Sequence, residues 1–284
     1  MKILLTGRAG QVGSALVPAL APLGEVSAFE RHGLDLLDPQ SIRSAIAKVK
    51  PGIIVNAAAY TAVDRAEREK DAAFAVNSRA AKELAQGAKS IDALLVHFST
   101  DYVFDGEKAA PYLETDATGP LGVYGESKLA GERAVTESGC RHFIFRTSWV
   151  YGPGGRNFVY AILAAAKSRP ELRVVNDQHG APTSSAAIAR AVAGIFSNAD
   201  LLKKPSGIYH MTAAGRTTWY EFACEILAQK GLSTPVVPVS SAQYPTATRR
   251  PKNSLLDNAK LFGTFRVALP GWREGYAAIA GALG

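Results

Sequence analysis

The stretch MKILLTGRAGQVG at residues 1–13 decides the fold. Residues 2–6 form a short apolar run that is typical of a buried strand. Three glycines follow with the spacing GxxGxxG, and an amphipathic helix is predicted to begin near Gln11. Glycines between a strand and a helix permit a tight turn and a close approach of the backbone to a pyrophosphate, which the helix N-terminus then attracts. The stretch therefore predicts a dinucleotide-binding loop, with a purely structural turn as the alternative.

The rest of the first half alternates short β-branched runs with amphipathic segments. Strands are predicted at residues 2–6, 25–29, 52–56, 94–99 and 142–147, and helices at residues 11–22, 39–48, 72–89 and 124–137. Such alternation predicts a parallel sheet with helices on both faces, and strands this apolar are what a doubly covered sheet requires. The expected fold class is α/β, a Rossmann-type doubly wound parallel sheet.

The second half has denser turn signals and predicts a smaller, mixed lobe. Helices are predicted at residues 157–168, 184–197 and 218–229, the last opened by a cap at Thr217 or Thr218 together with Glu221. We expect residues 1–150 to form the dinucleotide-binding domain and residues 151–284 to form mainly a substrate-binding lobe. The chain is expected to cross back later to complete the sheet.

Composition narrows the class of function. The 284 residues carry a formal charge of +7, and the basic residues are scattered. Without a basic stripe interleaved with aromatic residues, nucleic-acid binding is disfavoured, and an anionic cofactor and substrate explain the charge. The apolar runs are too short to span a membrane, and no signal peptide is expected. Two cysteines, Cys140 and Cys224, with no CxxC pairing suit a cytoplasmic protein.

The end of the second predicted strand bears on the choice of cofactor. An acid there holds the adenosine ribose hydroxyls of NAD, whereas a basic residue accepts the 2′-phosphate of NADP. Glu30 and Arg31 stand side by side, so both signals are present, and Glu30 could equally be a solvated strand end. The preference between NADPH and NADH stays open. Small residues at 57–59, after the third strand, leave room for a cofactor across the sheet, although simple helix–sheet packing would also use them.

A Tyr–Lys pair and a strand-end hydroxyl predict the chemistry. Tyr124 and Lys128 are four residues apart in a predicted helix, which places both side chains on one face. A nearby ammonium favours tyrosinate, so Lys128 is expected to lower the pKa of Tyr124. Thr100 follows the fourth strand, where a hydroxyl can bind a substrate carbonyl, although capping a turn is its ordinary role. Together with the glycine loop, these residues predict a hydride-transfer site.

The chain resembles the dTDP-4-dehydrorhamnose reductases, a family of extended short-chain dehydrogenases. The resemblance covers nearly the whole chain in the right order. Its blocks are TGRAGQVG (6–13), VNAAAYTAVDRAE (55–67), FSTDYVFDG (98–106), LETDATGPLGVYGESKLAGE (113–132), FRTSWVYG (145–152), VVNDQHGAPTS (174–184) and YPTATRRPKNS (244–254).

The resemblance implies reduction of dTDP-6-deoxy-L-lyxo-4-hexulose to dTDP-L-rhamnose with NADPH or NADH. It implies that Tyr124 donates the proton, Lys128 tunes Tyr124 and binds the ribose, and Thr100 polarises the carbonyl. The residues expected to bind the cofactor are Gly7, Gly10, Gln11, Val12, Gly13, Glu30, Arg31, Asp35, Leu36, Ala57, Ala58, Ala59, Tyr60, Thr61, Tyr124 and Lys128. Those expected to bind the nucleotide-sugar are Thr100, Asp101, Tyr102, Trp149 (stacked on the hexose), Asn157, Gln178, Pro182, Thr183 and Arg249.

One departure from the family concerns metal. Some members dimerise through Mg²⁺ held by glutamates, but the corresponding positions here are Ala15 and Ala186, and residues 277–284 contain no acid. Alanine cannot bind a hard cation, which requires oxygen ligands. We therefore expect no metal, and a monomer or a dimer that metal does not bridge.

Four other functions stay open on the sequence. Another nucleotide-sugar 4-ketoreductase, or an epimerase or dehydratase with tightly held NAD, would use the same scaffold, but a dehydratase would have a glutamate where Tyr102 stands. A non-catalytic subunit like the regulatory subunit of methionine adenosyltransferase also resembles this family, and the intact Thr100, Tyr124 and Lys128 argue against it. Binding to nucleic acid ranks last.

Overall fold

Six parallel strands form the central sheet of this computed structural model, which describes residues 1–283. The strands are β1 (Lys2–Thr6), β2 (Glu25–Phe29), β3 (Ile53–Asn56), β4 (Leu94–Thr100), β5 (His142–Thr147) and β10 (Gly207–His210). Their order across the sheet is β10-β5-β4-β3-β1-β2. The direction of winding therefore reverses between β1 and β3, and an open α/β sheet binds its ligand beyond the strand ends at such a point.

Helices cover both faces of the sheet, as the apolar strands predict. The helices are α1 (Gln11–Leu20), α2 (Pro39–Val49), α3 (Val63–Ala66), α4 (Lys70–Phe74), α5 (Ala80–Ser90), α6 (Val123–Glu137), α7 (Phe158–Ser168), α8 (Ser185–Phe196), α9 (Trp219–Gln229), α10 (Ala259–Phe265) and α11 (Trp272–Ala277). Ile3 and Leu5 of β1 pack on the face covered by α1 and α8, whereas Leu4 packs on the face covered by α2 and α5. Within residues 1–283, the structure has no helix with the length and hydrophobicity that a membrane crossing requires.

A second core lies between the remaining helices and three small strand pairs. Those strands are β6 (Val150–Tyr151) with β9 (Thr183–Ser184), β7 (Leu172–Val175) with β12 (Val236–Val239), and β8 (His179–Gly180) with β11 (Thr217–Thr218). They pack with α7, α9 and α11 around Phe222 and Tyr276. The chain returns to the large sheet at α8, β10 and α10, so residue 151 does not separate the two cores cleanly. The division into two domains at that residue remains a prediction.

The predicted strands and most predicted helices are confirmed to within two residues, and the capping box of Thr218 and Glu221 is present. The helix predicted over residues 72–89 is confirmed as a continuous helical segment at residues 70–90, but this segment is not α-helical throughout. The structure divides it into α4, a π-helical turn at Ala75–Arg79 and α5. The wide turn contains the buried Asn77, whose amide bonds to the backbone of Tyr60 and to Ser127. The helix therefore continues through a widened turn in which Asn77 bonds to groups outside the helix, and π-turns are frequent at functional sites.

A buried ion pair joins α6 to the sheet. The Arg146 guanidinium of β5 donates from Nε and Nη2 to the two carboxylate oxygens of Glu132 on α6, at 2.9 and 2.7 Å. Both side chains are only 2% exposed. A two-point contact of this kind fixes distance and orientation together, so it fixes the position of α6 on the sheet.

We predict that Glu132→Ala lowers the free energy of unfolding by about 3–5 kcal/mol, because it leaves the Arg146 cation buried and unpaired. Urea denaturation measures the loss. Replacing both residues by apolar residues of similar size should recover much of it. A Glu132→Ala variant as stable as the parent protein would contradict a structural role for the pair.

Candidate active site

The glycine loop touches the backbone of its neighbours directly. Gly7 has φ +74°, and a Cβ atom there would lie 2.6 Å from the amide nitrogen of Ala58, after β3. A Cβ atom on Gly13 would lie 2.0 Å from the carbonyl oxygen of Gly7. No side chain fits at either position, so both glycines are structurally required, and the loop and helix α1 lie against residues 57–58.

The start of α1 fits the phosphates of a dinucleotide. Gly10 precedes the helix, and in the described part of the chain no side chain caps it and no acid lies in its first turn. The first amide groups of a helix have no partner within the helix, and they carry its positive dipole end. The amides of Gln11, Val12 and Gly13 are therefore available to an anion at the switch point of the sheet. Their position agrees with the role predicted for these residues.

The predicted adenosine end of the site carries mixed charge. Glu30, which follows β2, lies 3.7 Å from Nε of Arg8 and 3.8 Å from Nδ1 of His32. Arg31 is exposed beside it. Asp35 and Leu36 lie in the turn that follows, where the Asp35 carboxylate accepts a hydrogen bond from the amide of Leu37. These contacts leave both an acid and a base beside the position expected for the ribose.

Residues 57–61 form the loop after β3, on the opposite side of the switch point from Glu30. The side chain of Asn77 holds this loop, because it accepts from the amide of Tyr60 at 2.8 Å and donates to the Tyr60 carbonyl at 3.1 Å. It also donates to Ser127 of α6 at 2.9 Å. Asn77 thus connects the predicted cofactor loop to the predicted catalytic helix. Sequence analysis missed it, although an asparagine within an apolar helical pattern was a possible signal.

The three predicted catalytic residues lie at the same edge of the sheet. Thr100 ends β4, and Tyr124 and Lys128 belong to the first two turns of α6. The hydroxyl of Thr100 donates to Asp101 at 3.0 Å, and the ring of Tyr102 meets the ring of Tyr124 edge to face at 5.6 Å. The structure therefore brings Thr100, Asp101, Tyr102 and Tyr124 together, as the resemblance implied.

Two residues that sequence analysis missed position α6. Glu67 accepts a hydrogen bond from the amide of Val123 at 2.9 Å, so its carboxylate lies at the positive end of the helix. Gly125 faces the turn after β4, where a Cβ atom would lie 2.2 Å from the carbonyl oxygen of Tyr102. The backbone of α6 is therefore in direct contact with the Thr100–Tyr102 turn. A glycine inside a helix was a signal for such close contact.

Burial shifts the pKa values of Tyr124, Lys128 and Asp101. It raises the pKa of Tyr124 to about 12, although the Thr100 side chain acts in the opposite direction. The expectation that Lys128 lowers the pKa of Tyr124 was wrong for this structure, since burial dominates and Lys128 is not among the causes of the shift. Burial also lowers the pKa of Lys128 to about 8, partly offset by Glu132, and raises that of Asp101 to about 6.

A cleft of about 1050 Å³ opens between α7 and the loops at residues 61–64 and 244–250. Among its lining residues are four arginines and one aspartate: Arg156, Arg169, Arg173, Arg250 and Asp64. This excess of guanidinium groups suits an anionic ligand such as a diphosphate. Thr248 of the second loop contacts Glu67 and Gly122 at the start of α6, so the cleft adjoins the predicted catalytic helix.

The structure distributes the predicted substrate residues unevenly around this cleft. Gln178 and Asn157 line it. Arg249 does not, because it is exposed and pairs with Glu107 at 2.8 Å. The neighbouring Arg250 lines the cleft instead and pairs with Asp64 at 3.0 Å, and sequence analysis missed it.

Pro182 and Thr183 lie behind the cleft and do not line it. Both are buried, and the Thr183 hydroxyl donates to the carbonyl of Ala181 and accepts from the amide of Ala213. Its hydrogen-bonding capacity is therefore used within the protein. The expectation of direct substrate contact by these two residues finds no support in the structure, which gives them a supporting position.

Trp149 stacks on another tryptophan. Its ring centroid lies 3.5 Å from that of Trp219, with 8° between the planes, and its backbone adopts φ +49°. Gly180 leaves room for the indole, since a Cβ atom there would lie 2.4 Å from it. A positive φ at a bulky residue is uncommon and marks a constrained position. Trp219, which sequence analysis missed, lines the cleft, and stacking of Trp149 on a hexose remains a prediction.

A doubly wound sheet with a glycine loop and a Thr–Tyr–Lys group defines a dinucleotide-dependent oxidoreductase. The model of the RmlD substrate binding domain family matches residues 1–283, and the chain belongs to this family. It is 45% identical to the dTDP-4-dehydrorhamnose reductase of Escherichia coli K12, over 97% of this chain and 95% of that protein.

Solved structures of dTDP-4-dehydrorhamnose reductases also have a fold similar to that of this chain. The dTDP-4-dehydrorhamnose reductase of Bacillus anthracis in complex with NADP has a TM-score of 0.91 at 35% identity, over 98% of both chains. The enzyme of that name from Clostridium acetobutylicum has a TM-score of 0.92 at 37% identity, over 98% of both chains.

We predict that Gly125→Ala lowers the free energy of unfolding by about 1–3 kcal/mol, because the added methyl group forces α6 away from Tyr102. Gly194→Ala in α8 is the matched control, since no atom lies within 4 Å of the position of its added carbon. That change should be neutral or stabilise the protein by up to about 1 kcal/mol. Thermal unfolding of both variants measures the difference, and equal melting temperatures would refute the contact.

Proposed function

We propose that this chain is an NAD(P)H-dependent reductase that converts dTDP-6-deoxy-L-lyxo-4-hexulose into dTDP-L-rhamnose. The observation that carries the proposal is the assembly of Thr100, Tyr124 and Lys128 at the switch-point edge of the sheet, beside the uncapped start of α1. Relatives named dTDP-4-dehydrorhamnose reductase, which match nearly the full length of the chain, support it. The arginine-lined cleft also suits a nucleotide diphosphate.

Thr100, Tyr124 and Lys128 each have a separate role in carbonyl reduction. Reduced nicotinamide, when bound, supplies the hydride. The Thr100 hydroxyl turns its single proton from Asp101 to the substrate oxygen and stabilises the negative charge that develops there. Tyr124 donates its phenolic proton to that oxygen, and a pKa of about 12 keeps the phenol protonated until the oxygen becomes more basic. Lys128, one turn further along α6, binds the ribose hydroxyls.

Residues outside this group bind the substrate in the cleft. Arg156 and Arg250 line it, and planar guanidinium groups can bind phosphate oxygens at two points each. Asp101 is 2% exposed, and its raised pKa of about 6 means that it gains a proton in mildly acidic solution. We infer that Asp101 and Tyr102 bind the sugar and that Gln178 and Asn157 bind nearer the nucleotide.

The proposal predicts that Tyr124→Phe reduces kcat by about 10²–10⁴-fold, because it removes the proton donor. The assay follows loss of the near-ultraviolet absorbance of the reduced cofactor, with the 4-keto sugar nucleotide generated by its upstream enzymes. Tyr220→Phe, a tyrosine of α9 in the second lobe, is the matched control and should retain full activity.

The outcome also separates the alternatives. A folded wild-type protein that binds cofactor but does not oxidise it would exclude the reductase and favour a non-catalytic subunit. Conversion of substrate without net consumption of cofactor would favour an epimerase.

The mixed charge around Glu30 predicts that one substitution changes the cofactor preference. Glu30→Gln removes the carboxylate beside Arg8, so the Arg8 guanidinium becomes free for a 2′-phosphate. We expect the ratio of kcat/KM for NADPH to that for NADH to rise about ten-fold, the equivalent of one charge-assisted hydrogen bond of about 1.5 kcal/mol. Glu25→Gln, at the exposed start of the same strand, is the control. An unchanged ratio would place the ribose away from Glu30.

A further inference from the structure

Four buried polar side chains form a continuous line beneath the active site. Thr6 of β1, Asn56 of β3, His97 of β4 and Lys128 of α6 are each at most 2% exposed. The Thr6 hydroxyl lies 2.7 Å from Oδ1 of Asn56, and Nδ2 of Asn56 lies 3.0 Å from Nδ1 of His97. Nε2 of His97 lies 3.5 Å from Nζ of Lys128. The line therefore ends at a residue of the catalytic group.

The donors and acceptors along this line fix the proton of His97. The Thr6 hydroxyl donates to the Asn56 carbonyl oxygen, which leaves the Asn56 amide group facing His97. An amide NH₂ group can only donate, so Nδ1 of His97 accepts and the ring proton is on Nε2. Burial, and then the charge of Lys128, lower the pKa of His97 well below its ordinary value, so the ring stays neutral.

The Nε2–H group of His97 thus faces the Lys128 nitrogen. An ammonium group has donors only, whereas an uncharged amine has a lone pair that can accept. The same nitrogen donates to the Phe98 carbonyl at 2.5 Å, so it is held from two sides. We propose that His97 is a positioning residue for Lys128, which holds the lysine nitrogen over the Phe98 carbonyl and favours its uncharged form.

The other charged groups around Lys128 do not prevent His97 from favouring its uncharged form. Glu132, one turn further along α6, favours the ammonium, but Arg146 of β5 already binds both of its carboxylate oxygens. Tyr124 lies one turn before Lys128 and stays protonated in the same pH range. His142 of β5 acts on His97 and also disfavours positive charge there. The pKa of Lys128, lowered by burial to about 8, agrees in direction with the contact from His97.

This inference deepens the proposed function, on which its catalytic meaning rests, because Lys128 would then exchange a proton near neutral pH during turnover. The charge state of Lys128 in the cofactor-free chain can be measured without any activity. The two proposals can therefore fail separately.

The decisive variant is Thr6→Val, which keeps the shape of the side chain but removes the donor to Asn56. The Asn56 amide can then turn over, and Nε2 of His97 becomes an acceptor for the ammonium. We expect the pKa of Lys128 to rise by about one unit, equivalent to one neutral hydrogen bond. NMR titration of lysine-labelled, cofactor-free protein measures it, with the resonance assigned through Lys128→Met. Thr217→Val, a buried threonine in the second lobe, should leave it unchanged.

A second variant covers the case in which Thr6→Val does not fold. His97→Phe keeps the size of the ring but removes the opposing donor, so the pKa of Lys128 should again rise. The pH at which kcat/KM changes should move in parallel in either variant, which a merely structural role for His97 would not produce. An unchanged titration in Thr6→Val, or a lower Lys128 pKa in His97→Phe, would overturn the proposal. An inactive wild-type protein would contradict the proposed function and leave this titration intact.

Discussion

Direct contact between backbone segments through glycine is the constraint on which the active site depends. A Cβ atom at Gly7 or Gly13 would collide with the loop after β3 or with the glycine loop itself, and one at Gly125 would collide with the turn after β4. One at Gly131 would lie 2.1 Å from the carbonyl oxygen of Asn77. These contacts set the separations of β1, β3, β4 and α6. The geometry of the catalytic group therefore follows from positions where the chain has no side chain at all.

Polar contacts then fix the positions and orientations that close packing alone does not determine. A helix in contact at Gly125 and Gly131 could still slide or rotate, and the two-point pair of Arg146 and Glu132 prevents this. Asn77 does the same for the loop at residues 57–61, because it binds both the amide and the carbonyl of Tyr60. Buried polar groups are costly unless they are satisfied, so the molecule places them where orientation matters for the chemistry.

Much of the fold could be predicted from the sequence, because the strands are short apolar runs and the helices are amphipathic. The π-turn at Ala75–Arg79 could not, since its cause is the bonding of Asn77 to groups distant in the chain. Thr100, Tyr124 and Lys128 could be selected as candidates because local spacing and a strand end define them, and the structure places all three at one edge of the sheet. Which arginine enters the cleft was not predictable, since Arg249 and Arg250 are adjacent and only the pairs with Glu107 and Asp64 decide their directions.

Electrostatics explains why the site needs both burial and close partners. Burial is the main cause that raises the pKa of Tyr124 to about 12 and lowers the pKa of Lys128 to about 8. A phenol of that strength transfers its proton only to an oxygen that has already gained negative charge, so protonation follows or accompanies reduction. Water would restore ordinary pKa values to both groups. The fold therefore contributes to the chemistry through the burial of these two groups at the edge of the sheet.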